Sequence, residues 1–257
     1  MGIVLVFVGI LGVNRLYLKS DSLTENLKYA RVQEAYTKHH ANIDVQLALL
    51  GLVNGQGERK PFDLYLRGFK HERQLEVWVK DKSATQFMHF RTYPFCATSG
   101  DLGPKWKQGD RQIPEGLYRI SLFNPQSSFH LSLRLNYPNG ADSIRSRAAD
   151  LGGDIYIHGG CETIGCIPIT DKRIEELYVL ALLAKESEEV EIPVHIFPAR
   201  MNHANRAYLR TNETYDRAVL QQFWDDLAPI YQYFETTGKY PNFNINNAGR
   251  YVLLEER

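Results

Sequence analysis

Residues 62 to 158 constrain the fold most. The stretches DLYLRGFK, QLEVWVKD, QFMHFRTYPFCA, GLYRISLF, FHLSLRLNY and DIYIH are short, aromatic or β-branched, and roughly alternate apolar with polar. A period of two puts every second side chain on the same face, which is the geometry of a strand. Turn-rich segments separate them, and the longest is SGDLGPKWKQGDRQIPEG at 99–116. An irregular stretch of that length inside a strand-rich domain is usually functional or disordered.

Helical patterns flank this region. Leu23, Leu27, Ala30, Ala35, Leu47 and Leu50 suggest one or two short helices over 21–50, and GLVNGQGERKP at 51–61 reads as a linker. Downstream, Ile174, Leu177, Tyr178, Ala181 and Leu182 share one helical face, with Thr170 or Asp171 placed to cap it. EIPVHIFPAR at 191–200 predicts a strand. Residues 215–236 predict a long helix with Leu220, Phe223, Trp224, Leu227, Tyr231 and Phe234 inward, ended by Gly238. RYVLLE predicts a last strand. The expected fold class is mostly β (α+β), with helical N- and C-terminal flanks. The expected parts are 1–20, a helical segment and linker at 21–60, a strand-rich domain at 61–200, and a helical extension with a final strand at 201–257.

The opening run from Ile3 to Val13 is apolar without a break. A helix needs about 20 such residues to span a bilayer, so the run fits the core of an export signal, cleaved or retained as a short membrane anchor. The alternative is an apolar element packed on the fold. Charge balances, with 30 basic and 30 acidic residues, so no bulk attraction to nucleic acid is expected. Three cysteines cannot all pair within the chain.

Two of those cysteines lie in DIYIHGGCETIGCIPITD, residues 154–171. Alternation sends Ile155 and Ile157 to the core and Asp154, Tyr156 and His158 to the other face. The glycines that follow allow a sharp bend, and Gly165 stands beside Cys166. Three chemistries fit. Cys166 is a nucleophile with His158 as its base; His158, Cys161 and Cys166 are metal ligands lacking a fourth; or the cysteines are small apolar core residues. Cys96 reads as core, Cys161 as structural, and His195, within an apolar strand, as a core histidine. Asn212-Glu-Thr matches a glycosylation acceptor, a pattern too common to carry weight.

His158-Gly159 followed by Thr163-Ile164-Gly165-Cys166 resembles the signature of L,D-transpeptidase (YkuD-type) catalytic domains. IHGGCETIGCIPITD is similar to the YafK-like branch, as are FDLYLRGFK, SGDLGPKWKQGDRQIPEGLYRI, FHLSLRLNYPN, IRSR, VHIFPARM and GKYPNFNINNAGRYV in the same order. The sequence departs from the main family at Ile164, where a second histidine is usual, and at Pro168, where Arg or Asn is usual. The resemblance implies a β-sandwich catalytic domain acting on peptidoglycan stem peptides at a diaminopimelate-linked amide. It implies cell-wall remodelling in the periplasm or envelope, by transfer or by hydrolysis that releases a peptidoglycan-linked envelope protein. A wall-binding module without catalysis is the rival. Cys166 would be nucleophile, His158 base, and the Gly159 carbonyl the group orienting the imidazole. The amides of Gly165 and Cys166 with the Thr163 hydroxyl would hold the oxyanion. No metal or organic cofactor is implied. Lys105, Arg111, Asn136, Tyr137, Arg145 and Arg200 are candidates for the substrate's carboxylates, since guanidinium groups pair well with them.

Overall fold

The computed structural model describes residues 22–186, 191–211 and 217–254. The apolar run at 3–13 and Asn212 therefore lie outside the described residues.

The elements in chain order are α1 (Leu23–Asn26), α2 (Ala30–Leu49), β1 (Phe62–Phe69), β2 (Gln74–Asp81), β3 (Met88–Pro94), β4 (Gly116–Asn124), β5 (Ser132–Leu135), α3 (Gly140–Arg145), β6 (Tyr156–His158), β7 (Ile167–Pro168), α4 (Asp171–Lys185), β8 (Pro193–Phe197), α5 (His203–Leu209), α6 (Arg217–Thr237), β9 (Phe243–Ile245) and β10 (Tyr251–Leu253). Eight strands form one sheet in the order β3-β2-β1-β8-β4-β5-β6-β7, and β9 and β10 form a separate ribbon. The domain is thus mixed α+β. The two halves of the sheet meet at β4: its first residues pair with β8 and its last with β5, with a register shift between Ile120 and Leu122. A bulge at this position increases local twist and turns the sheet on itself.

Helices cover both faces. In β1, Leu64 and Leu66 join the core under α4, while Phe69 joins the core under α6. In β8, Val194 and Ile196 face one way and Phe197 the other. Two buried faces explain why these central strands read as near-continuous apolar runs. Segment 22–60 contributes to this core. Val32, Ile43 and Leu47 of α2 are fully buried with Ile174 and Leu177 of α4. The linker 51–61 closes on itself through a bridge between Val53 and Arg59.

The helix after the motif begins at Asp171, with Thr170 at the cap position in a left-handed backbone (φ 74) and without a side-chain capping bond. The expected cap is absent because the Asp171 carboxylate is used elsewhere: its Oδ1 accepts from the Gly160 amide at 2.7 Å. The C-terminal helix runs through Pro229 and ends at Gly238 (φ 66), close to the expected bounds.

Candidate active site

β6 sits between β5 and β7 and delivers the motif. Ile155 and Ile157 enter the core at 4% and 0% exposure, and His158 occupies the opposite face at 2%. The next residue must be glycine: a Cβ on Gly159 would lie 2.4 Å from the Asp171 carboxylate and 2.7 Å from the Phe129 carbonyl. The tight turn brings Cys166 back beside β6 through parallel pairing of Ile157 with Ile167. His158 and Cys166 line one cavity of about 240 Å³, together with Asn124, Ser127, Ser128, Phe129, Ser132, Asp154 and Tyr156.

The Gly159 carbonyl contacts His158 Nδ1. A carbonyl only accepts, so Nδ1 carries the proton and Nε2 keeps a lone pair. The Phe129 ring lies 4.6 Å from the imidazole at 36°. Burial lowers the His158 pKa, opposed by the Gly159 carbonyl. Burial raises the Cys166 thiol above its ordinary value; the Tyr156 amide opposes this, the Asp154 charge adds to it, and Lys105 opposes it. The thiol donates to the Asp154 carbonyl, with S···O 3.6 Å.

The turn is held from within. Thr163 Oγ1 accepts from the Gly165 amide at 3.1 Å and donates to the Cys166 carbonyl at 2.8 Å. Two of the three groups expected at the oxyanion, the Gly165 amide and the Thr163 hydroxyl, are therefore engaged in the turn itself. Gly165 has φ 142, and a Cβ there would meet the Gln112 carbonyl at 3.1 Å, so the loop 99–115 packs directly on the residue before Cys166.

Cys161 is bonded to Cys96 in a disulfide with Cα atoms 5.4 Å apart, leaving Cys166 as the free thiol. This corrects the reading of Cys96 as a core residue: the end of β3 and the 159–165 turn are neighbours, a contact 65 residues apart in sequence. A disulfide sulfur is not a thiolate ligand, so the set His158, Cys161, Cys166 cannot bind a metal in this state.

The residues expected to bind carboxylates lie outside the cavity lining. Lys105 is buried and held by Asp110 and the Lys107 carbonyl. Arg111 is exposed in a left-handed backbone (φ 58). Asn136 accepts from the Arg119 amide, and the Tyr137 hydroxyl donates to the Leu151 carbonyl. Arg145 stacks 4.3 Å over Phe223 and faces a different cavity, of about 400 Å³. Arg200 is committed to Glu76 and Gln74. Loops fold on themselves and give most of these polar groups local partners, which composition does not reveal. The serines, Asn124 and Phe129 were not foreseen. Ser132 is set there by its register opposite His158. His195 is a core residue: fully buried, with Nδ1 2.7 Å from the Tyr65 hydroxyl, and driven by burial to a pKa of about 3.

Comparison with known proteins places the chain in a family. The family model for the YkuD L,D-transpeptidase catalytic domain matches residues 66–196. The "Putative L,D-transpeptidase YafK" of Escherichia coli (strain K12) is 34% identical over 192 residues, covering 74% of this chain and 73% of that protein. Among solved structures, the helical cell shape determining protein Pgp2 from Campylobacter jejuni aligns over 80% of each chain at 16% identity and TM-score 0.44. Mycobacterium tuberculosis L,D-transpeptidase 1 aligns over 52% of this chain and 62% of that one, at 14% identity and TM-score 0.30. From residue 66 to residue 196, across the strand that carries His158 and the turn that carries Cys166, the chain belongs to the L,D-transpeptidase (YkuD) catalytic domain family.

Proposed function

We propose that the protein is a cysteine acyltransferase acting on peptidoglycan stem peptides at a diaminopimelate-linked amide. The observation that carries this is the presence of a free thiol and a histidine in the lining of one cavity, the histidine's Nδ1 being committed to the Gly159 carbonyl. Nε2 takes the proton from the Cys166 thiol as sulfur attacks the carbonyl carbon. The tetrahedral oxyanion needs donors. With Thr163 and Gly165 bonded to each other, the Cys166 amide is the remaining donor of the expected set. Collapse expels the amine, which takes the proton back from His158, and leaves a thioester on Cys166. An acceptor amine completes transfer; water completes hydrolysis and would release cross-links or a peptidoglycan-linked envelope protein. Both attack the same thioester, so access to the cavity decides between them.

A location in the periplasm or cell envelope follows from the substrate. The Cys96–Cys161 disulfide fits such an oxidising compartment. Among the described residues no helix is long and apolar enough to cross a membrane.

Intact-protein mass spectrometry after incubation with purified muropeptides tests the reading, comparing wild type with Cys166→Ala. The expected result is an acyl adduct on wild type alone, with released products separating transfer from hydrolysis. Folded wild type that yields neither adduct nor product would favour a wall-binding module.

A further inference from the structure

We propose that the cavity of about 400 Å³ between α6 and the turn of the β9–β10 ribbon binds the C-terminal residue of a polypeptide, its apolar side chain inside and its carboxylate on Arg145. This cavity shares no lining residue with the one that holds His158 and Cys166. Three stretches that carry the family resemblance, and that the cysteine chemistry leaves unused, converge on it. Trp106 comes from the long 99–116 segment, Arg145 from IRSR, and Ala248 and Arg250 from GKYPNFNINNAGRYV.

The guanidinium of Arg145 calls for an anion. Its Nε donates to the Ala141 carbonyl at 3.2 Å. Nη1 and Nη2 are buried and have no hydrogen-bond partner among the described residues. Asp142 feels the Arg145 charge, but its own oxygens accept from the Asn139 amide and the Tyr118 hydroxyl. The Phe223 and Tyr251 rings lie 4.3 and 4.9 Å from the guanidinium carbon. Ring faces attract a cation but offer no oxygen acceptor. Charged donors buried without acceptors are costly, and an unmade bond of this kind asks for an explanation. A carboxylate entering the cavity supplies two oxygens in the planar geometry that guanidinium matches.

The remaining walls select the rest of the ligand. Trp106, Val219, Phe223 and Ala248 present apolar surface, and Val219 is 51% exposed, so the cavity opens to solvent at that side. The volume lies within the usual range for ligand sites, about 300–1,000 Å³. The second cation in the lining, Arg250, is taken by both oxygens of Asp226, which leaves Arg145 to receive the anion. Gln222 donates its amide to Asp226 at 3.2 Å, leaving its amide oxygen to accept an N–H from the ligand. An apolar body, a carboxylate and an N–H together describe the last residue of a peptide chain. A fatty acid has the first two and lacks the third.

Calorimetric titration of the whole protein tests this without turnover, so its result is independent of the acyl-transfer reading. The probes are N-acetylphenylalanine, N-acetylphenylalaninamide and octanoate. N-acetylphenylalanine should bind saturably and roughly tenfold more tightly than its amide, which lacks the charge. Arg145→Met, which keeps an unbranched apolar chain against Phe223, should erase the preference for acid over amide. Ala218→Phe, which fills the cavity from the exposed side of α6, should weaken N-acetylphenylalanine more than tenfold, and it tests the site even where Arg145→Met does not fold. No binding to folded wild type, equal affinity for acid and amide, or unchanged binding by folded Ala218→Phe overturns the proposal. Octanoate binding as tightly as N-acetylphenylalanine also overturns it, and assigns the cavity to a fatty acid.

Discussion

At the scale of single residues, burial acts on both members of the pair in the same sense. It lowers the imidazole below 6.5 and raises the thiol above 9.0. Near neutral pH the pair is therefore thiol and neutral imidazole, and the proton moves during attack rather than before it. The signs give two limbs. Protonated His158 cannot accept a proton, so kcat/KM for a muropeptide donor should fall as pH drops through a value below 6.5. Without substrate, alkylation of Cys166 by iodoacetamide should keep rising beyond pH 9.0, where the thiol ionises. An alkylation rate already flat between about pH 5 and 8 would instead mean a preformed thiolate–imidazolium pair. The proposed nucleophile, base and orienting carbonyl follow from the motif's resemblance to its family, and all three lie within nine positions of each other. The cavity's other walls do not, because they come from β4, β5 and their connection.

At the scale of elements, the turn joining β6 to β7 is fastened at several points. The Gly159 amide donates to Phe129 and Leu131 carbonyls, Gly160 donates to Asp171, and the Cys96 amide donates to the Pro168 carbonyl. The Cys96–Cys161 bond adds a covalent tie across 65 residues. Closing a loop of that length restricts the unfolded chain by about 4 kcal/mol in the chain-entropy account. The double variant Cys96→Ala/Cys161→Ala should lose stability of that order in urea unfolding. Its muropeptide turnover should fall more than about tenfold, since small misplacement of reacting groups is costly. Wild type under mild reductant should show the same loss. Full turnover by the double variant would show that the hydrogen bonds alone set the turn. Thr170 makes a related point. Sequence marked the start of α4 correctly, but the cap's carboxylate neighbour had been drawn off to fix Gly160, an interaction with no local signature.

At the scale of the whole molecule, Arg67 links the sheet to α6. It is fully buried on β1, bonds Glu76 of β2 at 3.3 Å and Glu235 of α6 at 2.7 Å, and lies 4.5 Å over the Phe234 ring and 5.0 Å over Tyr231. Arg200, after β8, shares Glu76. Removing one member leaves a buried charge with fewer partners, which typically costs about 3–5 kcal/mol. Arg67→Ala should lose stability on that scale in urea unfolding, more than Arg67→Met, which keeps the buried volume. Folded Arg67→Met should retain its rate of Cys166 alkylation, because Arg67 lies outside the cavity lining. A large drop in that rate would mean that the α6 face and the catalytic cavity are coupled.

The sequence by itself set the longer elements and put the proposed chemical pair in one short motif. Alternation in DLYLRGFK and DIYIH set strand faces, the spacing of Ile174, Leu177 and Ala181 set the inward side of α4, and Gly159 and Gly165 fixed where the chain could turn closely. These are local constraints, imposed within a few residues by backbone geometry and side-chain period. The tertiary structure decided what met what. It joined the two halves of the sheet through β4, folded α2 into the core, paired Cys96 with Cys161, and placed Phe129 and Ser132 rather than Arg145 or Arg200 in the cavity with Cys166. Each of these joins residues distant in sequence, and such contacts form only after strand order and register are set, so no local pattern encodes them.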